Sequence, residues 1–197
     1  MDEGLAKVRH ERSVKDFPNI RLDENEYVEF AFKRARASIM LIVGGLAAGL
    51  IVILLSFLLV ILYQPDLDEM GVKFLMVILA ALTGAIFIAM LIAIFIYNRN
   101  RLFITNKHVI QLITTSLTAS SDNYIDLASI EDVSFHQNRI TEKIFGYGTL
   151  RLATVGDETT YTFKDSDVTQ TEITAISKLV TEAKKRSRPP RRNNQND

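Results

Sequence analysis

The pattern of hydrophobic and polar positions divides this chain into regions of different character. Two long stretches, Ser38 to Tyr63 and Phe74 to Tyr97, contain no Asp, Glu, Lys, Arg or His. A helix needs about 20 consecutive apolar residues to cross a bilayer, whereas an apolar stretch of about 10 to 14 residues is more typical of a soluble core. We therefore expect two membrane spans, at residues 38–63 and 74–97, joined by a loop at 64–73.

Small residues follow one face of each predicted span. Lipid offers no hydrophobic driving force for helix association, so backbones usually approach each other closely across small side chains. The expected packing surface of the helical hairpin consists of Gly44, Gly45, Ala48, Gly49, Ala81, Ala85 and Ala89. The alternative is that one of the two strips pairs the hairpin with another copy or with another membrane protein.

The predicted spans contain few polar side chains. Channels and transporters normally place ionisable or strongly polar groups at mid-membrane, and here only Ser56 and Thr83 interrupt the hydrocarbon. A two-helix hairpin of this composition cannot line a pore alone. An oligomeric channel or transport accessory is therefore the alternative function rather than the leading one.

Charges beside the spans predict their orientation. The loop between the spans is short and acidic, and the outer flanks are basic. The positive-inside rule therefore predicts a multi-pass protein of the cytoplasmic membrane with both of its termini in the cytoplasm. The basic residues expected at the membrane surface are Lys33, Arg34, Arg36, Arg99, Arg101, Lys184, Lys185 and Arg186.

After Arg101 the apolar positions follow the alternation of β-strands. Residues 102–113 predict two strands around a tight turn, and residues 123–127 with 130–135 suggest a second pair. Further strands are expected at 149–154 and 160–164. About six or seven short strands favour a small antiparallel sheet or barrel.

One helix is expected to close the domain. Ile173, Ile176 and Val180 recur at helical spacing, and Thr169 with Glu172 is a candidate capping box. Pro189 and Pro190 would end this helix. Its apolar stripe suits the open end of a curved sheet.

Three segments in this order resemble the bacterial pleckstrin-homology-like (PH) domain: Leu102 to Ile110, Ile125 to Val133 and Ile144 to Leu152. The resemblance covers residues 98–183, and several members of the family carry the domain on a two-helix anchor. It implies a seven-stranded, strongly bent antiparallel β-barrel or sandwich capped by the C-terminal helix. Its motif residues here are Thr105, Asn106, Lys107, Gly146, Tyr147 and Gly148. This sequence has His108 where arginine is common.

The motif residues have mainly structural explanations. Asn106 tolerates the left-handed conformation of a tight turn, and Gly146 and Gly148 allow a bend or a close backbone contact. Tyr147 is expected to be an exposed contact residue.

The fold class is therefore an α+β membrane protein with a transmembrane helical hairpin and a PH-like domain. The expected divisions are a cytoplasmic N-terminal segment at 1–36, partly disordered with an interfacial element, the hairpin at 37–97, the PH-like domain at 98–186 and a disordered basic tail at 187–197. Within the first segment, Asp23 and Glu26 would cap a short interfacial helix. Alternatively, Val28, Phe30 and Phe32 alternate as a strand, and both alternatives are compatible with the family resemblance.

The composition argues against catalysis and metal binding. The absence of cysteine excludes disulfides and thiolate chemistry. The three histidines, His10, His108 and His136, lie in unrelated contexts without a HExxH or Walker pattern. We predict no enzyme activity, no metal and no cofactor.

Acidic residues outnumber basic ones between Asn98 and Val180, which disfavours recognition of a lipid head group by the domain. The basic tail either contacts anionic lipid or is merely solvated, and nucleic acid is disfavoured because no aromatic residue is available for base stacking. The expected function is a protein-interaction or assembly module at the cytoplasmic membrane surface. Its partners would be the lipid bilayer and an unidentified protein, with a homo-oligomer as one option.

Overall fold

A computed structural model describes residues 3–63, 69–154 and 160–187. The elements in chain order are α1 (Glu3–Asp16), β1 (Val28–Lys33), α2 (Arg36–Tyr63), α3 (Glu69–Arg99), β2 (Arg101–Thr105), β3 (His108–Thr114), β4 (Ser120–Asp126), β5 (Ile130–His136), α4 (Ile140–Phe145), β6 (Gly148–Thr154), β7 (Thr160–Ser166) and α5 (Gln170–Ser187). A short 3-10 turn, Leu127–Ser129, joins β4 to β5.

The two uncharged stretches form α2 and α3, which are both long and apolar enough to cross a membrane. The helix α3 begins at Glu69, inside the loop expected at 64–73. The ammonium of Lys73 lies 2.5 Å from Oε1 of Glu69 one turn earlier. An acidic side chain in the first turn and a pair of opposite charges four residues apart both stabilise this start. The remainder of the expected loop, 64–68, lies outside the described residues.

The strands form two antiparallel sheets. One has the order β1-β2-β3-β4 and the other the order β5-β6-β7. The strand β1 precedes the helical hairpin in the chain and β2 follows it, yet the two strands are neighbours, with Lys33 opposite Arg101. The hairpin is therefore inserted between two adjacent strands of one sheet.

The described residues form seven strands, the number that the family resemblance implies, but β1 lies outside residues 98–183, where the resemblance was placed. The two sheets are not closed into a barrel. The expected pairing of 123–127 with 130–135 is wrong, because β4 pairs with β3 and β5 pairs with β6. The 3-10 turn between them explains the difference. The carboxylate of Asp126 accepts a hydrogen bond from the N–H of Ala128, at 2.9 Å, and fixes a corner that sends β5 to the second sheet.

The main hydrophobic core lies between the two sheets and α5. Fully or almost fully buried side chains come from both sheets and from the helix, including Leu102, Ile104, Val109, Leu150, Phe163 and Ile176. The predicted C-terminal helix is confirmed. Its capping box is formed, because the N–H of Thr169 donates to Oε2 of Glu172 at 2.8 Å and the N–H of Glu172 donates to the Thr169 hydroxyl at 3.4 Å.

The N-terminal segment is folded rather than mobile, which differs from the expectation for residues 1–36. Phe17 packs edge-on against Phe103, with 5.1 Å between ring centroids, and Ile20 joins the same cluster as Ile110. These contacts cover apolar side chains on the face of the first sheet that points away from the main core. The strand alternative for Val28 to Phe32 is the observed structure. Most of the expected tail, 188–197, lies outside the described residues.

Candidate functional site

The small residues of the hairpin do not lie between its two helices. All seven expected packing residues, Gly44, Gly45, Ala48, Gly49, Ala81, Ala85 and Ala89, are exposed. A Cβ atom added at Gly44, Gly45 or Gly49 would meet nothing within 4 Å. The partly buried positions in the middle of α2 are instead large residues at heptad-like spacing, which suits packing of knobs into holes: Val43, Leu50, Ile53 and Phe57.

The turn between β2 and β3 binds the N-terminal segment of the same chain. Oδ1 of Asn106 accepts a hydrogen bond from the N–H of Tyr27 at 3.0 Å, and its amide nitrogen donates to the carbonyl of Asn25 at 3.2 Å. The ammonium of Lys107 donates to the carbonyl of Glu24 at 2.8 Å. Asn106 does not have a positive φ, which corrects the role expected for it. Two motif side chains, those of Asn106 and Lys107, thus serve an internal contact.

A buried carboxylate lies at the centre of this contact. Glu26 is 1% exposed. Its Oε1 accepts hydrogen bonds from the Thr105 hydroxyl at 2.5 Å and from Nδ1 of His108 at 2.9 Å, and its Oε2 accepts one from the N–H of Asp23 at 2.8 Å. The assignment of the proton to Nδ1 follows from the carboxylate being an acceptor only. Glu26 therefore joins the N-terminal segment to both β2 and β3.

Two opposing effects act on the pKa of Glu26. Burial alone would raise it, because a charged carboxylate is costly away from water. The hydrogen bonds from Thr105, Asp23 and His108, together with the charge of His108, outweigh burial and lower the pKa below its ordinary value of 4.5. The carboxylate is accordingly held in its charged form.

The same residues include one set of potential metal ligands. Ligand atoms of Asp23, Glu26 and His108 all lie within 4.8 Å of one another. Hydrogen bonds from protein donors already occupy both oxygens of Glu26. A cation at this point would have to displace the His108 contact, so the arrangement fits an internal hydrogen-bond network better than a metal centre.

The second motif, Gly146 to Gly148, ends α4 and begins β6. Gly146 has a φ of 72° and caps α4 in the left-handed region, where glycine carries no steric penalty. A Cβ atom at Gly148 would lie 2.6 Å from the carbonyl oxygen of His136, so only glycine fits. Tyr147 is 2% exposed, contrary to the expectation of an exposed contact. Its hydroxyl lies 3.3 Å from Oγ1 of Thr141, a partner that allows the ring to be buried.

Basic residues at the ends of the hairpin meet around a cavity of about 700 Å³. The cationic residues that line it are Lys33, Arg34, Arg36 and Arg101. Lys33 and Arg36 are exposed, whereas Arg34 and Arg101 are partly buried. Its other lining residues include Tyr97, Phe145 and one carboxylate, Asp167. We call this the junction cavity, because it lies where the sheet meets α2 and α3.

The other predicted surface cations are placed differently. Arg99 lies with its guanidinium 5.1 Å from the ring centroid of Phe95 and lines a second cavity of about 400 Å³. Arg101 lines this second cavity as well as the junction cavity, and two carboxylates, Asp16 and Asp122, lie along it. Lys184, Lys185 and Arg186 form the last turn of α5 and line neither cavity. The structure therefore brings together four of the eight predicted basic residues.

Glu26 and α4 are the features that the sequence interpretation missed. The spacing of Asp23 and Glu26 was a usable signal, because the carboxylate does accept the N–H three residues earlier. A strand, the second of the two expected alternatives, follows this turn. For α4 the signal was Glu142, whose Oε2 accepts hydrogen bonds from the N–H groups of Asn138 and Arg139, followed by Gly146 as a stop.

Comparison with known proteins adds three findings. A sequence profile described as Bacterial PH domain matches residues 35–183, well over half of the chain. Among solved structures, the chain is similar to the crystal structure of a DUF1696 family protein with a pleckstrin-homology domain from Shewanella loihica, at 15% identity over 44% of this chain and 71% of that one, with a TM-score of 0.33. The comparison with curated proteins found no match.

Proposed function

Since the chain belongs to the bacterial PH domain family, we propose that it is a non-enzymatic membrane protein whose PH-like domain acts as a protein-interaction or assembly module at the cytoplasmic membrane surface. The observation that carries this proposal is the insertion of the hairpin between the adjacent strands β1 and β2. This connection mounts the folded domain directly on the two apolar helices.

Burial supports a membrane anchor rather than a soluble helical core. In the most apolar 18-residue segment of α2 and in that of α3, 0% of the residues are buried. A core helix of a soluble protein would be covered by other elements, whereas these helices offer long apolar surfaces that only lipid or another apolar partner would cover.

The connection between sheet and helices also supports the orientation. Only Arg34 and Ala35 separate β1 from α2, and only Asn100 separates α3 from β2. Thus α2 begins and α3 ends at neighbouring positions at one end of the first sheet, so the N-terminal segment, both sheets and α5 belong on one side of a membrane. The basic residues at this end favour the cytoplasmic side.

An open sheet edge supports recognition of a protein partner. The strand β4 pairs with β3 on one side, and within the described residues no strand pairs with its other side. Unpaired backbone N–H and carbonyl groups along such an edge accept an added strand from a partner. Tyr124, whose side chain is 46% exposed, adds an aromatic contact to this edge.

The anchor is tested by single-cysteine labelling, because the natural chain has no cysteine to remove. We expect an Asp66→Cys variant to react with a membrane-impermeant maleimide in intact cells, and a Glu182→Cys variant to react only after lysis. Labelling of both variants in intact cells, or of neither, contradicts the proposed orientation.

The interaction role is tested by placing a photo-crosslinking amino acid at Ser121 on β4, with Thr174 on α5 as a matched exposed control. We expect a defined protein adduct from the β4 position in membranes and none from α5. Identical adduct patterns from the two positions, or no adduct from β4, count against recognition through this edge.

The outward position of the small residues favours a second candidate, an oligomer that acts as a channel or transport accessory. Small side chains allow close contact between helices of different copies in lipid. The test is the oligomeric state in mild detergent together with ion flux into liposomes. A monomer without flux excludes this candidate.

A further inference from the structure

We infer that the junction cavity binds the phosphate group of an anionic phospholipid, so that the protein recognises a head group where its domain meets the membrane. This inference rests on the proposed anchoring. The chemistry it requires is a phosphate anion, and the position of the cavity favours a lipid as its source over soluble phosphate.

The basic residues of the cavity lack acidic partners. Within the parts of the chain that the structure describes, none of Lys33, Arg34, Arg36 and Arg101 forms an ion pair. Only one carboxylate, that of Asp167, lines the cavity with them, although Arg101 also borders the neighbouring cavity that Asp16 and Asp122 line. Four cations beside one carboxylate produce a concentrated positive potential, which attracts an anion more strongly than scattered surface charges do.

The arrangement of these cations is unfavourable without an anion. Lys33 and Arg101 are directly opposite each other on β1 and β2, and like charges at opposite positions of a sheet are destabilising. Arg36 lies in the first turn of α2, which holds no acidic residue. A helix start carries partial positive charge and favours an anion instead. One phosphate would offset both repulsions.

Arg34 offers a donor in a fixed position. Its guanidinium lies 5.3 Å from the ring centroid of Tyr97, and the Tyr97 hydroxyl donates to the carbonyl of Ala35 at 2.8 Å. Nε of Arg34 is buried and has no hydrogen-bond partner among the described residues. A buried donor without a partner is costly, and arginine matches the geometry of phosphate oxygens well.

The position of the cavity favours a lipid. It lies between the start of α2 and the end of α3, at the level of the head groups when these helices span a bilayer. Basic pockets between helices at this level bind anionic head groups. Phe145 lines the same cavity and belongs to α4, which exposes Ile140 by 78%, Ile144 by 70% and Phe145 by 52%. Apolar side chains beside basic ones suit contact with the acyl boundary.

Most of the basic charge at the cavity comes from outside the segment in which acidic residues outnumber basic ones. The count from Asn98 to Val180 omits three of the four cations, because Lys33, Arg34 and Arg36 precede the hairpin in the chain. They reach the cavity through the pairing of β1 with β2. A volume of about 700 Å³ lies within the range of about 300 to 1,000 Å³ that small-molecule pockets occupy.

The test is native mass spectrometry of the full chain in mild detergent, titrated with phosphatidylglycerol, with phosphatidylcholine or with inorganic phosphate. We expect at least a tenfold preference for phosphatidylglycerol over phosphatidylcholine. The double variant Arg34→Gln and Arg101→Gln should lose that preference. The double variant Lys164→Gln and Lys178→Gln, which removes two exposed charges outside the cavity and outside the predicted membrane-surface set, should keep it within twofold. A variant with Arg34→Lys and Arg101→Lys retains the charge, and we expect partial binding.

Several outcomes overturn the inference. Equal binding of the two lipids by the natural chain, which needs no variant to fold, refutes head-group selection. An equal loss in the Lys164→Gln and Lys178→Gln control shows that overall charge rather than the cavity is responsible. Inorganic phosphate that displaces phosphatidylglycerol at a similar concentration shows that the site serves a soluble anion. Cysteine labelling is independent of these variants, so a correct orientation without lipid preference refutes the site alone.

Discussion

Replacement of Glu26 by glutamine tests whether the buried carboxylate holds the N-terminal segment on the sheet. The carboxylate accepts three hydrogen bonds, from Thr105, His108 and Asp23, and is 1% exposed. Glutamine has nearly the same shape but only one acceptor oxygen, and its amide would face one of these donors. Hydrogen bonds to a charged group contribute about 1.5 to 3 kcal/mol each, and a buried donor left unpaired costs about 1 to 3 kcal/mol. We expect Glu26→Gln to lower the free energy of unfolding by about 2 to 3 kcal/mol at pH 7.

The pH dependence provides a sharper version of the same test. The pKa of Glu26 is lower in the folded protein than its ordinary value of 4.5. Its contribution to stability is therefore fully present above about pH 5 and is lost as the pH falls through the folded-state pKa. The difference between the natural chain and Glu26→Gln should shrink as the pH is lowered from 5 toward 3, because glutamine does not titrate.

The assay is urea unfolding of the full chain in mild detergent, followed by near-ultraviolet circular dichroism of the tyrosines. Glu131→Gln is the matched control, since Glu131 is an exposed carboxylate on β5, and its effect should stay within about 0.5 kcal/mol. A Glu26→Gln variant as stable as the natural chain refutes the reasoning. So does a stability difference that is the same at pH 7 and pH 3.5.

Three further predictions concern glycines and the segment contact. Gly148→Ala should destabilise the protein by about 2 to 4 kcal/mol, because the added Cβ lies 2.6 Å from the His136 carbonyl oxygen. Gly146→Ala meets open space at a φ of 72° and should cost only about 1 to 2 kcal/mol. Similar costs of the two variants in urea unfolding would contradict the steric explanation. Gly45→Leu should leave the thermal stability of the detergent-solubilised monomer unchanged, because Gly45 is exposed and a Cβ atom added there meets nothing within 4 Å. A large loss of stability would place that glycine between the helices after all. Asn106→Ala removes hydrogen bonds to Asn25 and Tyr27; we expect faster proteolytic release of α1 without a change in the far-ultraviolet spectrum, and an unchanged cleavage rate would show that the turn does not hold the segment.

The parts of the fold that the sequence predicted are those with a local signal. Two uncharged stretches identify α2 and α3, and the spacing of Ile173, Ile176 and Val180 identifies α5, because each pattern belongs to one continuous element. The pairing of β1 with β2 has no local signal, since the two strands are separated by the whole hairpin. The strand pattern at 28–32 indicated a strand but not its partner.

The candidate sites were harder to predict for a related reason. Glu26 lies among polar residues, and nothing in that stretch indicates that its carboxylate is buried against Thr105 and His108. Tyr147 lies between two glycines, a context typical of exposed turns, and its burial depends on a neighbouring helix of only six residues. The basic residues were recognised as separate groups, each beside one span or near the C-terminus. That Lys33 and Arg101 meet depends on the three-dimensional pairing of their strands.

The insertion of the hairpin between β1 and β2 also constrains how the protein is made. During synthesis β1 leaves the ribosome before both apolar helices, and β2 emerges only after them. The edge of β1 therefore stays unpaired until α2, α3 and β2 have all been synthesised. The four-stranded sheet can form only after both apolar helices have been synthesised and their ends at the sheet have come together. A chain whose synthesis stops within the helices has no β2 to pair with β1.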